Sequence, residues 1–142
     1  MLVKMPTYHE HIPVMLQECM DHLITDENGV YIDGTLGGGG HSKEILSRLG
    51  ENGQLFSIDQ DEQAIAAASG RIGIDDRFTI LKGNFGYLTT LLPPPNHGQV
   101  AGILLDLGVS THQIKDGGRG FSFQEDGPLD MRMDNLTGIT AY

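Results

Sequence analysis

Three aspartates close three strand-like runs in this chain: Asp33 follows Val30-Tyr31-Ile32, Asp59 follows residues 54–58, and Asp106 follows residues 100–105. Between the first two stands Gly34-Thr35-Leu36-Gly37-Gly38-Gly39-Gly40. Such a run cannot be helix or strand, because glycine gives up more backbone entropy there than any other residue. A strand-end acid, a glycine loop and a helix starting near Ser42 are the parts with which a backbone approaches a nucleotide. The glycines admit the ligand, the helix start turns free N–H groups toward it, and an acid ending the next strand accepts hydrogen bonds from ribose hydroxyls. Asp59, 19 residues beyond Gly40, stands near the spacing of such an acid. The plainer alternative is a structural turn with a solvated carboxylate at Asp59, yet a turn needs one or two glycines and four stand here in succession.

The kind of nucleotide is narrowed by what the loop lacks. No lysine follows a glycine at the phosphate-loop spacing, which disfavours a cradled triphosphate. The dinucleotide fingerprint started at Gly37 finds Gly39 and then Ser42; started at Gly38 it finds Gly40 and then Lys43. It fails at its helix-packing position, so a nicotinamide dinucleotide is weakened but stays open. The form Asp33-x-Thr35-x-Gly37-x-Gly39 suits adenosine without a pyrophosphate. S-adenosylmethionine is such a ligand, and its cationic sulfonium and ammonium groups are complemented by carboxylates at strand ends, Asp33 and Asp106 among them.

Elements to position these groups follow from periodicity. Leu16, Cys19, Met20 and Leu23 form the apolar stripe of a helix, and Cys19 on that stripe reads as a buried small hydrophobe. A strand at 30–32, a helix at 42–49 and a strand at 54–58 come next. Asp61 then caps an alanine-rich helix at 62–69, a strand runs over 78–81, a short helix over 87–92 stops at Pro93-Pro94-Pro95, and a strand fills 100–105. Alternating strands and helices imply an α/β fold, a parallel sheet with helices on both faces. The expected organisation is an N-terminal segment 1–29 carrying the first helix, a Rossmann-like cofactor-binding half 30–106, and a glycine-rich active-site loop region 107–142 without sustained period.

The 142 residues amount to one domain, and 9 Lys+Arg against 19 Asp+Glu leave a net charge of −10, so a basic surface for a polyanion must be local or lie in further sequence. A single cysteine and the lack of a leader-like or membrane-spanning run read as a cytoplasmic protein with no membrane partner.

Four blocks are distinctive: His11-x-Pro13-Val14-Met15-Leu16, the loop from Tyr31-Ile32-Asp33 through His41-Ser42, Leu104-Leu105-Asp106-Leu107-Gly108-Val109-Ser110, and Arg119-Gly120-Phe121-Ser122-Phe123 continuing to Asp134. Through them the chain resembles the bacterial small-subunit ribosomal RNA cytosine-N4 methyltransferases of the MraW/RsmH type. The resemblance implies a class I S-adenosylmethionine-dependent methyltransferase fold, methyl transfer to the N4 amino group of a cytidine in 16S ribosomal RNA, and the small ribosomal subunit as partner. It implies cofactor contacts at Gly39, Gly40, His41, Asp59, Phe85, Asp106 and Gln113. Where the family reads Ser-Pro-Gln-Leu this chain has Thr111-His112-Gln113-Ile114, keeping the glutamine in an altered loop. Family members are much longer, so the chain looks like their N-terminal part, with the fourth strand's far edge unpaired and open to self-association.

The amino nitrogen of cytosine is a poor nucleophile, so transfer needs in-line positioning and an acceptor for an N–H proton. Asp106 is the candidate catalytic residue, with a purely cofactor-binding role as its alternative; Ser110 is a candidate proton relay or a loop cap. Arg119, Arg132 and Lys115 could meet RNA phosphate or fold the loop through Asp126, Asp130 and Asp134. Phe121 and Phe123 could stack a flipped base or pack the loop. His9 and His11 lack a third ligand at helical spacing, and no metal site is expected. Two other readings remain beside the methyltransferase: a nicotinamide-dependent oxidoreductase, and a noncatalytic cofactor-binding fragment.

Overall fold

A computed structural model describes residues 12–142, so His9 and His11 lie outside the described residues. The alternating pattern yields β1 (Val30–Asp33), β2 (Gln54–Asp59), β3 (Phe78–Lys82) and β4 (Val100–Leu104), all parallel and hydrogen-bonded in the order β3-β2-β1-β4. Helix α1 (Leu16–Leu23) precedes β1, and α2 (Gly40–Arg48), α3 (Glu62–Ile72) and α4 (Leu88–Leu91) lie in the connections between strands. Successive strand residues point to opposite faces, and each face builds its own core. Tyr31 and Leu55 pack with Met20 of α1 and Ile45 and Leu46 of α2. Ile32, Phe56 and Ile58 pack on the other side with Leu92 and the partly buried Leu88 and Leu91. Cys19 packs at the margin of the first core and is only half-buried, because α1 presents Met20 rather than its neighbour to the sheet.

Element ends are set by local chemistry. Asp61 caps α3 as its spacing predicts, its side chain accepting from the Gln63 N–H. That helix runs past residue 69 to Ile72 and stops at Gly73, whose φ of 80° leaves the helical region. The expected loop after residue 107 is not wholly irregular: it holds α5 (Thr111–Lys115) and a 3-10 turn, Gly117–Arg119. A helix that short carries no periodicity to read; its sequence signal is the capping box Ser110-x-x-Gln113. At the sheet's edge, β4 has β1 as its one strand neighbour among the described residues, and Ile103 and Leu105 remain 48% and 47% exposed.

Candidate functional site

The strand order turns at β1, which has β2 on one side and β4 on the other, and this is where an open α/β sheet admits a ligand outside its strand ends. A cleft of about 330 Å³ opens there. The loop after β1 lines it with Gly34, Thr35 and Gly37; Asp59 closes β2, Phe85 follows β3, and Asp106 and Gln113 follow β4. Thus Asp59, Phe85, Asp106 and Gln113, far apart in sequence, share one cleft. Its described lining has two carboxylates and no Lys, Arg or His.

Asp59 is held by the backbone. Its Oδ2 accepts from the Gly37 N–H at 2.8 Å and its Oδ1 from the Asp61 N–H at 2.9 Å. Burial pushes its carboxyl above the ordinary aspartate range, while the backbone bonds from Asp61 and Gly37 restrain the rise. The glycine loop is also stitched to β2 by the Leu36 N–H on the Ile58 carbonyl. Gly37 needs its freedom: φ is +50°, and a Cβ there would find only the Thr35 carbonyl, 3.8 Å away. Of the four consecutive glycines 37–40 it is the one whose backbone lines the cleft, a distinction that the run conceals in the sequence.

Gly39, Gly40 and His41 stand behind the loop instead of in the cleft lining. A Cβ on Gly39 would meet Ala68 Cβ at 3.0 Å and Ile72 Cδ1 at 3.2 Å, so this residue lets α2 approach the alanine face of α3. Gly40 abuts Pro13. The buried His41 ring joins its Nε2 to the Val14 carbonyl at 3.1 Å and brings Nδ1 to 4.0 Å from the Asp106 carboxylate.

Asp33 differs from Asp106 although both close strands. It is fully buried, accepting from Ser42 Oγ at 2.6 Å and the Thr35 N–H at 3.1 Å, so it braces the loop from beneath and does not line the cleft. Asp106 is 46% exposed in its side chain, and its N–H donates to Thr35 Oγ1 at 2.7 Å. Thr35 therefore links the ends of β1 and β4, a role its spacing does not reveal. Burial, the largest influence on Asp33, pushes its carboxyl upward, whereas the Arg132 guanidinium holds Asp130 down to about 2. A carboxyl-carbon NMR titration is expected to find Asp33 and Asp59 titrating above the ordinary aspartate range and Asp130 near its floor; the reverse order would contradict these environments. The raised pair binds protons more tightly when folded, so it adds stability as pH falls through its folded values; the Asp130 contribution is present above its unfolded value and lost as pH falls toward about 2.

Among the described residues no group of three or more His, Cys, Asp or Glu could hold a metal ion, and no helix is long and apolar enough to cross a membrane. Residues 8–142 match the profile of the MraW methylase family. The chain belongs to that family. It is 54% identical over 132 residues to the Ribosomal RNA small subunit methyltransferase H of Shewanella sediminis and 53% identical to that of Shewanella woodyi, covering 92% of this chain and 42% of each relative. The chain thus spans about two-fifths of the length of these curated relatives. Its fold is that of a crystal structure from Clostridium thermocellum, provisionally assigned as an rRNA-methylase, with a TM-score of 0.50 and 24% identity over 59% of this chain and 48% of that one.

In this MraW family member the distinctive block 119–134 folds on itself. Arg132 pairs within the block, with Asp130 at 2.7 Å, whereas Arg119 is buried in an ion pair with Asp61, the cap of α3, and not with Asp126, Asp130 or Asp134. Lys115 is exposed. Phe123 is fully exposed and packs no loop core, while Phe121 is half-buried. The Ser110 hydroxyl accepts from the Gln113 N–H at 3.1 Å as the cap of α5.

Proposed function

We propose that the cleft holds S-adenosylmethionine, and that the chain is the cofactor-binding part of a cytoplasmic methyltransferase acting on the N4 amino group of a cytidine in 16S ribosomal RNA. The observation that carries this reading is a strand-end cleft that has the Asp59 and Asp106 carboxylates and no described cation. Two carboxylates repel a pyrophosphate and attract a sulfonium and an ammonium, which favours this cofactor over a nicotinamide dinucleotide. Membership of the MraW methylase family and relatives named as small-subunit RNA methyltransferases support the same chemistry.

Asp59, locked by Gly37 and Asp61, keeps carboxylate lone pairs for the ribose hydroxyls, and the Gly37 backbone leaves room for close approach. The Phe85 ring supplies an apolar wall. Gly39, Gly40 and His41 support the loop from behind. When bound, the cofactor supplies an electrophilic methyl group on sulfur. Asp106 stands half-exposed at the cleft, where its carboxylate accepts an N–H of the incoming amino group and orients the nitrogen. The exposed edge of β4 is open to self-association.

Replacing Asp59 by alanine removes the charged acceptor and weakens S-adenosylmethionine binding by about 1.5–3 kcal/mol. Calorimetry reads this directly, and an unchanged dissociation constant would take Asp59 out of the site. Because the ionised carboxylate is the acceptor, affinity also falls as pH is lowered through the raised Asp59 value. The transfer step is tested with tritiated methyl donor and small subunits lacking the modification. This chain, at net charge −10 and without the remaining length of its relatives, is expected to transfer nothing, since flipping a base costs a few kcal/mol, roughly, that a partial pocket does not recover. A full-length relative is expected to methylate a cytidine; its failure would overturn the N4-cytidine assignment.

A further inference from the structure

The cluster beneath the cleft has a stoichiometry that a helix cap alone does not need. Asp61 is 2% exposed and spends Oδ1 on the Gln63 N–H at 2.9 Å. Its Oδ2 takes two donors from distant parts of the chain: Gln113 Nε2 at 3.1 Å and Arg119 Nη1 at 2.6 Å. Each of those side chains holds something else. Gln113 Oε1 accepts from the Ser110 N–H at 2.9 Å, and Arg119 Nη2 donates to the carbonyls of Arg132 at 3.1 Å and Met133 at 2.8 Å. Ser110, Gln113 and Met133 all line the cleft, as does Asp59, two residues before Asp61. One carboxylate therefore ties two separate lining segments to the strand end that carries Asp59.

The geometry points to Asp61 and Arg119 as a positioning pair that sets the far wall of the cleft against Asp59, acting through Gln113 and the 132–133 backbone without touching the ligand. This rests on the reading of the cleft as an S-adenosylmethionine site. A planar guanidinium is required, because one terminal nitrogen must meet the carboxylate while the other meets two carbonyls. A lysine keeps the charge but cannot span both. The isolation of the pair also has a cost: Arg119 Nε is buried without a partner, so the side chain is held by this geometry and not by full satisfaction of its donors.

The test is Arg119→Lys in the chain, measured well below its unfolding midpoint. Without ligand, the amide resonances of Ser110 and Gln113, which the Gln113–Asp61 bond joins to the Arg119 side chain, are expected to shift. S-adenosylmethionine affinity is expected to fall about tenfold, the scale of coupling within one hydrogen-bond network. Should Arg119→Lys fail to fold, Asp61→Asn keeps an oxygen for the Gln63 cap and carries the same two readouts. Resonances unmoved and an affinity within about twofold of the parent would overturn the proposal, since a purely structural pair would change the midpoint alone. If the unsubstituted chain binds no S-adenosylmethionine, the reading of the cleft fails, while shifted Ser110 and Gln113 resonances still uphold the positioning pair.

Discussion

Replacing Tyr31 by alanine is expected to lower the unfolding free energy by about 4 kcal/mol, the usual loss for a large buried aromatic ring. Tyr31 has no exposed surface and sits in the central strand among Met20, Ile45 and Leu55. Its hydroxyl does a second job: it accepts from the N–H groups of Thr25 at 3.1 Å and Asp26 at 3.0 Å and donates to the Asp26 carbonyl at 2.9 Å. It thereby fixes the turn that feeds α1 into β1. Tyr31→Phe isolates this part and should cost about 1–3 kcal/mol by leaving those backbone groups without their partner. Urea unfolding measures both. A phenylalanine variant as unstable as the alanine one would place the stabilisation in the hydroxyl and not in the ring.

Gly39→Val is the second large effect, and it falls on stability. The residue sits at φ +78°, where a side chain costs about 1–2 kcal/mol and a branched one more. A Cβ would also press on Ala68 Cβ at 3.0 Å, adding about 1–3 kcal/mol of overpacking, for about 2–5 kcal/mol together. The loss should appear as a lowered denaturation midpoint before any change in ligand affinity. Gly37→Ala is the contrast: φ is +50° but the Cβ has room, so it should cost about 1 kcal/mol of stability while obstructing the cleft. Equal midpoints for Gly39→Val and the parent would contradict the close approach of α2 to α3.

These two glycines show where sequence reading stops. The run of glycines marks a close backbone approach, yet which residue meets a ligand and which meets α3 depends on a partner helix more than twenty residues away. Asp59 was legible because the distance from a glycine loop to the next strand end is a local property of one strand-helix-strand unit. Asp33 was not: it shares a strand face with Tyr31, so period two turns it toward α2, where Ser42 receives it, and away from the cleft. The ion pair of Arg119 with Asp61 spans 58 positions and leaves no periodic trace. α5 was not read as a helix at all, because its one sequence signal, the Ser110-x-x-Gln113 capping box, covers a single turn. The inner strands β1 and β2, by contrast, were readable because burial on both faces demands continuous apolar runs, while the edge strands β3 and β4 were read from apolar residues that stay partly exposed.

The central claim is that this cleft takes an adenosyl cation and not a pyrophosphate. Calorimetric titration of the chain with S-adenosylmethionine and, separately, with a nicotinamide dinucleotide tests it most directly. Saturable one-site binding of S-adenosylmethionine, weakened by Asp59→Ala, with no heat from the dinucleotide, is the predicted result. Binding of the dinucleotide without binding of S-adenosylmethionine would contradict it.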